Sequence, residues 1–394
     1  MNKFQKYFNK SIYLFSVLGF SFLAWSCRDK GVNPPDENKD STILVYAVAT
    51  NSLSSNLVSD KNEMVQAASE IDLNKNNILV FETKYDTQDR SKSKISLLKL
   101  VKNNEGFGWE TVKDFSDGID PLNPSRISEV INYVSDNFKA TSNGLIFWSH
   151  STGSQPYLYT RTSDESLSYS FGQDLNATTA NVQINVDQLA DAVPDNFFDF
   201  IWFDSCYMSN IETIYEFRNK CSTFVGYPTE VLEYGLPYNI VLPYMVGTNP
   251  DLIYAAELFY RYYENRIATI AVVDMHKIYD FAEECHNILK GNYNVSTYGF
   301  MKYTRYTTGP FYELGDYVKA VASEADLELS DSHWNNILDQ FILYKAATAS
   351  DFSYSPIYAD RYSGISAHVY SFDNDDESER YYKSLDWYKD VVAL

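Results

Sequence analysis

The sequence predicts an α/β sandwich, a largely parallel sheet with helices on both faces. Two observations predict it. Short apolar runs rich in β-branched residues recur along the chain, and between several of them lie segments whose apolar residues fall three and four positions apart. At 394 residues, 45% hydrophobic, the chain has ample apolar material for a large core.

The first strand is Ser41 to Thr50, a β-branched run bounded by polar turns. Further strands are expected at Asn77–Thr83, Ile95–Val101, Leu145–Trp148, Phe198–Phe203, Ser222–Gly226, Ala268–Val273 and Ile365–Tyr370. A helix is expected through Ile127, Val130, Ile131, Val134 and Phe138, with Asn123-Pro124 as its cap and first turn. Met64 to Ile71, Ala255–Tyr263, Ile278–Leu289 and Trp334–Ala347 carry the same period. The stretch from Arg161 to Gln183 is polar and aperiodic, and reads mainly as an exposed loop.

Ahead of this region Lys3, Lys6 and Lys10 precede an apolar run from Ile12 to Trp25 that ends at Cys27, the layout of a secretory signal. The run is shorter than the ~18–20 residues a spanning helix needs. Leu23-Ala24-Trp25-Ser26-Cys27 resembles a bacterial lipobox, although its leucine sits one place further from the cysteine than is usual, which leaves ordinary signal cleavage open. The expected organisation is a signal peptide over 1–26, a lipid-anchored tether over 27–40, a core over 41–290 and an α/β extension over 291–394 packed on it. Export to the bacterial cell envelope, with Cys27 as the membrane anchor, follows.

The net charge of −21 argues against nucleic-acid binding, which needs a concentrated basic surface. Without Cys27 the chain keeps three cysteines, Cys206, Cys221 and Cys285, an odd number. Cys221 and Cys285 pairing with each other would leave Cys206 free. No heptad or repeat asks for assembly, so a monomer is expected.

Two apolar strands end at reactive side chains: Leu145 to Trp148 leads through Ser149 to His150, and Phe198 to Asp204 leads through Ser205 to Cys206. Strand ends on one edge of a parallel sheet converge, so the pair can meet across the sequence gap. The pattern Met208, Ile211, Ile214, Tyr215 then places Cys206 near a helix N-terminus, which favours thiolate. A thiolate attacks, a histidine moves the proton, and N–H donors of Ser151 and Cys206 would receive the oxyanion. On residues alone, a buried cysteine at a strand end is more often inert packing.

Other chemistry is thinly represented. His276 and His286 lack a second ligand at metal spacing except Cys285 beside His286, so no metal or other cofactor is expected. His333 reads as a helix-start residue, and His368 as a solvent-facing strand position. The five carboxylates between Asp373 and Glu379 lack the glycine and spacing of a calcium loop and read as a solvated turn.

The segment from Asp120-Pro121 to Leu145-Ile146-Phe147-Trp148-Ser149-His150 resembles the histidine region of the clostripain family of cysteine peptidases. Asp204-Ser205-Cys206-Tyr207-Met208 is similar to its nucleophile motif. Pro228-Thr229-Glu230 and Gly235-Leu236-Pro237-Tyr238 resemble the loop after the nucleophile, while Phe311 to Tyr317 and Ser363-Gly364-Ile365-Ser366 resemble C-terminal elements. The resemblance runs from about Ser41 to Phe372. It implies a caspase-like three-layer sandwich, a His150–Cys206 dyad, a peptide or protein substrate cut after Arg or Lys, and Asp204 in an acidic specificity pocket. Glu230 and Glu233, on the loop after the next strand, are further candidates for meeting a cationic substrate, with a solvated-loop role equally open. Arg161, the single basic residue between His150 and Cys206, is the expected self-processing site.

One departure stands out. The family usually has glycine directly after the histidine, where this chain has Ser151, a change able to restrict an oxyanion donor. The competing expectation is therefore an inactive peptide- or glycan-binding lipoprotein on the same fold, for which the 33 tyrosines offer aromatic platforms.

Overall fold

A computed structural model describes residues 39–84, 94–155, 170–175, 183–291, 295–303, 311–369 and 377–394. The strands are β1 (Lys39–Ala47), β2 (Asn76–Lys84), β3 (Lys94–Asn103), β4 (Gly106–Asp114), β5 (Ala140–Trp148), β6 (Phe198–Asp204), β7 (Cys221–Gly226), β8 (Thr269–Asp274), β9 (Phe311–Glu313), β10 (Ile342–Ala347) and β11 (Ser366–His368). The helices are α1 (Ser54–Ala67), α2 (Pro124–Asn137), α3 (Val186–Asp191), α4 (Ile211–Glu216), α5 (Tyr238–Met245), α6 (Leu252–Tyr263), α7 (Ile278–Leu289), α8 (Leu314–Glu324), α9 (Asp331–Phe341) and α10 (Glu377–Ser384).

Nine strands form one sheet in the order β10-β8-β7-β6-β5-β1-β2-β3-β4. The run β2-β1-β5-β6-β7 is parallel, and antiparallel strands extend it at both sides. The period of two along β1 explains the layering. Leu44 and Tyr46 enter the core shared with α2, α3, α4, α7, α8 and α9, whereas Ile43 and Val45 enter the core shared with α1, α5 and α6. Trp148 and Trp202 lie in this second core, so the strand β6 alternation sends Asp204 to the same side.

Local rules account for individual elements. Asn123 caps α2 by accepting from the Ser125 N–H, Pro124 opens the helix, and Ile127, Val130, Ile131 and Val134 are buried beneath it. The segment expected as one helix over Trp334–Ala347 is corrected: α9 stops at Phe341, and β10 pairs antiparallel with β8. An unpaired sheet edge offers a full ladder of backbone partners, which outweighs the helical propensity of Leu343, Lys345, Ala346 and Ala347. Part of the expected exposed loop is also ordered inward. Phe171 is buried and bridges both Ser151 and Ile184, where Ser170 to Leu175 returns beside the end of β5.

Beyond the main sheet, β9 and β11 form an antiparallel pair. This pair props the turn after β6, because the Ser366 N–H donates to the Ser209 carbonyl at 2.9 Å and the Ser209 hydroxyl donates to the Gly364 carbonyl at 2.8 Å.

Candidate active site

β5 and β6 are adjacent and parallel, and their last register pair is Trp148 opposite Asp204. His150 and Cys206 each lie two residues beyond that pair, so both stand at one edge of the sheet. The expected convergence of these strand ends is what the topology gives.

His150 is half-buried in a turn held from three sides. Its carbonyl accepts from the Gly172 N–H at 2.8 Å, and its Nε2 lies 2.9 Å from the Ser52 hydroxyl, on the turn between β1 and α1. The neighbouring Asn51 amide donates to the carbonyls of Val48 at 3.0 Å and Gln173 at 2.9 Å, which ties that turn to the histidine loop. Burial pushes the imidazole below its ordinary value, so the neutral ring is favoured near pH 7.

Cys206 follows β6 through a tight turn. Tyr207 adopts φ +59°, a left-handed conformation uncommon for a bulky side chain. Its surroundings hold it there: the Tyr207 N–H donates to Thr229 at 2.9 Å, its carbonyl accepts from Asn210 Nδ2 at 2.7 Å, and its ring stacks on Phe311 at 6.1 Å. Gly153 completes the contact between the two turns, since a Cβ there would lie 2.6 Å from the Tyr207 carbonyl oxygen. The Val231 N–H points at the Cys206 sulfur at 3.4 Å. The expected helix start at Cys206 is corrected: α4 begins at Ile211, capped by Asn210 accepting from the Thr213 N–H at 2.9 Å. The intervening left-handed residue breaks the helical path.

Ser151 joins the two halves. Its side chain is 6% exposed, and its hydroxyl donates to the Cys206 carbonyl at 2.5 Å. The hydroxyl is thus spent on the turn at Cys206 instead of projecting into open space.

Asp204 lies on the other face, 4% exposed. Its Oδ2 accepts from the Leu236 N–H at 3.2 Å and the Tyr238 hydroxyl at 3.1 Å, while Oδ1 is buried with no hydrogen-bond partner. Desolvation pushes this carboxyl up to about 7. Two further carboxyls, unanticipated from sequence, share the surroundings. Asp60 on α1 accepts from the Trp148 indole N–H at 2.8 Å, and burial together with the Asp204 charge pushes it up to about 9. Glu63 accepts from the Tyr238 N–H at 2.9 Å. A signal existed for Asp60: it interrupts the stripe Leu57, Met64, Ala67 that α1 buries. Of the loop candidates, Glu230 is partly exposed. Glu233 is exposed, and its carbonyl accepts from Asn56 at 2.8 Å.

The remaining candidates fall elsewhere. His368 is buried, not solvent-facing as expected, because β11 tucks its ring between Phe311 and Tyr382. His276 is paired with Asp274 at 2.9 Å, His286 lies 3.1 Å from the Val391 carbonyl, and His333 is in the first turn of α9. Cys221 and Cys285 are buried free thiols, so they do not pair. Cys27, Arg161 and the acidic stretch from Asp373 to Asp376 lie outside the described residues. Among the described residues no group of carboxylate, histidine and cysteine side chains is arranged to hold a metal, and no helix is long and apolar enough to cross a membrane.

The profile of the clostripain family, peptidase C11, matches residues 45–393. No curated protein matches the chain. Among solved structures, a secreted C11 cysteine protease from Bacteroides thetaiotaomicron in complex with an irreversible peptide inhibitor is similar, with a TM-score of 0.73 and 23% identity over 90% of this chain and 99% of that one. An inactive zymogen C11 protease from Parabacteroides distasonis has a TM-score of 0.71 and 25% identity over 90% of this chain and 98% of that one. The sandwich is therefore the caspase-like one that the sequence resemblance implied. With a profile match that extends over residues 45–393, most of the sequence, the chain belongs to the clostripain family of cysteine peptidases.

Proposed function

We propose that the protein is an endopeptidase in which Cys206 is the nucleophile and His150 its acid–base partner. The observation that carries this reading is the placement of both residues two positions past the Trp148–Asp204 register pair, with the Ser151 hydroxyl bonded to the Cys206 carbonyl. In the reaction the neutral His150 takes the Cys206 thiol proton, the thiolate attacks the scissile carbonyl carbon, and the resulting oxyanion accepts from the N–H groups of Ser151 and Cys206. The protonated His150 gives its proton to the leaving amine as the C–N bond breaks, leaving a thioester. His150 then takes a proton from water, whose oxygen attacks the thioester and releases the acid and the thiol.

Cleavage after Arg or Lys is the specificity that the site's charge favours. Asp204 offers a buried oxygen with no partner, and Asp60 and Glu63 add carboxyls nearby, none of them perturbed by a neighbouring cation. A guanidinium or ammonium entering there would supply the missing countercharge. Glu230 and Glu233 would meet the substrate nearer the surface, and Arg161 would be cut by the enzyme itself. The division into a signal over 1–26, a tether over 27–40, a core over 41–290 and an extension over 291–394 belongs to the same reading. So do export to the bacterial envelope through lipidated Cys27, and function as a monomer.

The test is a peptide library with varied residues before the scissile bond, offered to wild type, Cys206→Ala and His150→Ala. Cleavage after Arg or Lys that both substitutions abolish is expected. Cleavage after other residues removes the pocket assignment, and a folded protein that neither cleaves nor is labelled at Cys206 by a peptide inhibitor turns the reading toward peptide binding. Radiolabelled palmitate retained by wild type and lost in Cys27→Ser tests the anchor.

A further inference from the structure

The Ser52 side chain stands at the exposed turn between β1 and α1, and among the described residues its hydroxyl makes one hydrogen bond, to His150 Nε2 at 2.9 Å. We propose that Ser52 is a positioning residue of the catalytic centre, its hydroxyl fixing the His150 ring so that Nδ1 is the nitrogen presented to the Cys206 side. This rests on the roles proposed above for His150 and Cys206.

Three features carry the inference. An imidazole has two nitrogens, and a partner on one decides which is left to exchange a proton. Ser52 occupies Nε2, so Nδ1 remains. The backbone beneath Ser52 is fixed independently of it: Asn51 donates to Val48 and Gln173, its own Oδ1 accepts from the Leu53 N–H at 2.9 Å, and its carbonyl accepts from the Ser54 N–H at 3.2 Å. The turn is in turn anchored to β5, where the Val48 N–H donates to the Trp148 carbonyl at 3.0 Å. Finally, the hydroxyl has no packing role to explain it, because its side chain faces solvent.

A hydroxyl also suits the task chemically. It accepts from Nε2–H in the neutral ring and in the imidazolium alike, so the bond persists as the proton moves on and off Nδ1. Being neutral, it orients the ring without the added charge by which a carboxylate would hold the imidazolium more tightly.

The experiment compares wild type, Ser52→Ala, Ser52→Thr and Cys206→Ala on one peptide substrate, with unfolding midpoints measured alongside. Expected for Ser52→Ala is a loss in kcat of about tenfold, the worth of one hydrogen bond, with KM and midpoint unchanged and with Thr restoring the rate. Wild-type turnover in Ser52→Ala, a loss confined to KM or matched by a lower midpoint, or a loss that Thr leaves unrestored overturns the inference while the role of Cys206 stands. Turnover retained by Cys206→Ala would instead remove the reading on which it rests.

Discussion

The Ser151 hydroxyl donates to the carbonyl of Cys206 at 2.5 Å, so the residue after the histidine grips the backbone of the proposed nucleophile. The turn it grips is already under conformational tension, because Tyr207 holds φ +59°. Removing that hydrogen bond forfeits about 0.5–1.5 kcal/mol and leaves the peptide plane freer to rotate. Ser151→Ala is expected to lower kcat by about three- to tenfold on a peptide substrate with little change in KM, and Ser151→Thr to retain most of the rate. Equal kcat values for Ala and wild type would show that the grip is idle.

Asp204 gives a prediction in pH. Burial pushes its carboxyl up to about 7, so it is neutral below that pH and charged above it. A Lys or Arg side chain stays cationic throughout, and attraction therefore grows as pH rises. KM for an Arg substrate is expected to fall from pH 6 to pH 8, and Asp204→Asn to flatten that dependence while reducing kcat/KM by roughly 100-fold, the scale of truncating one partner of a buried charge pair. Gly235→Ala should act at the same place. Its φ is +57°, and its Cβ would lie 2.8 Å from Asp204 Oδ2, so a raised KM for Arg substrates is expected.

What the sequence made legible follows from periodicity. The strands leading to His150 and Cys206 were readable because each is a continuous apolar run that stops at polar residues, and parallel pairing then sets the two ends side by side. Side-chain direction was not readable. Nothing in the order of residues says that the Ser151 hydroxyl turns to Cys206, or that Ser52 reaches His150 across the sheet edge. β10 was missed because its stability comes from the β8 edge, a partner far away in sequence. β4 was missed because its residues are only half-covered and carry little apolar alternation.

The thiols should separate by reactivity. Cys221 and Cys285 are buried, and desolvation pushes both well above the ordinary thiol range, whereas Cys206 is partly exposed with the Val231 N–H at its sulfur. Brief treatment of the folded protein with iodoacetamide at pH 7, followed by peptide mass spectrometry, is expected to find label at Cys206 at least about tenfold ahead of the other two, since thiolate fraction and access both set the rate. Comparable labelling of Cys285 would contradict the burial seen here.

Buried carboxyls also fix the direction in which stability changes with pH. Asp204, Glu212, Glu216 and Glu313 are pushed up to about 7, and Asp60 to about 9, in each case first by burial. Their folded-state values exceed the unfolded ones, so between about pH 4 and these values the folded protein binds more protons than the unfolded chain. The stability they contribute is full below about pH 4 and is lost as pH rises through 7 and then 9. Asp386, held low by Arg218, acts oppositely and loses its contribution as the medium becomes acidic. The unfolding midpoint should therefore be highest near pH 4 to 5 and fall as the pH is raised to 8.5. Asp60→Asn should lessen the fall on the alkaline side, because the amide needs no proton to be buried neutral whereas the carboxylate must take one up on folding, and a midpoint that climbs steadily from pH 5 to 8.5 would mean that these carboxyls ionise in the folded protein as freely as in the unfolded chain.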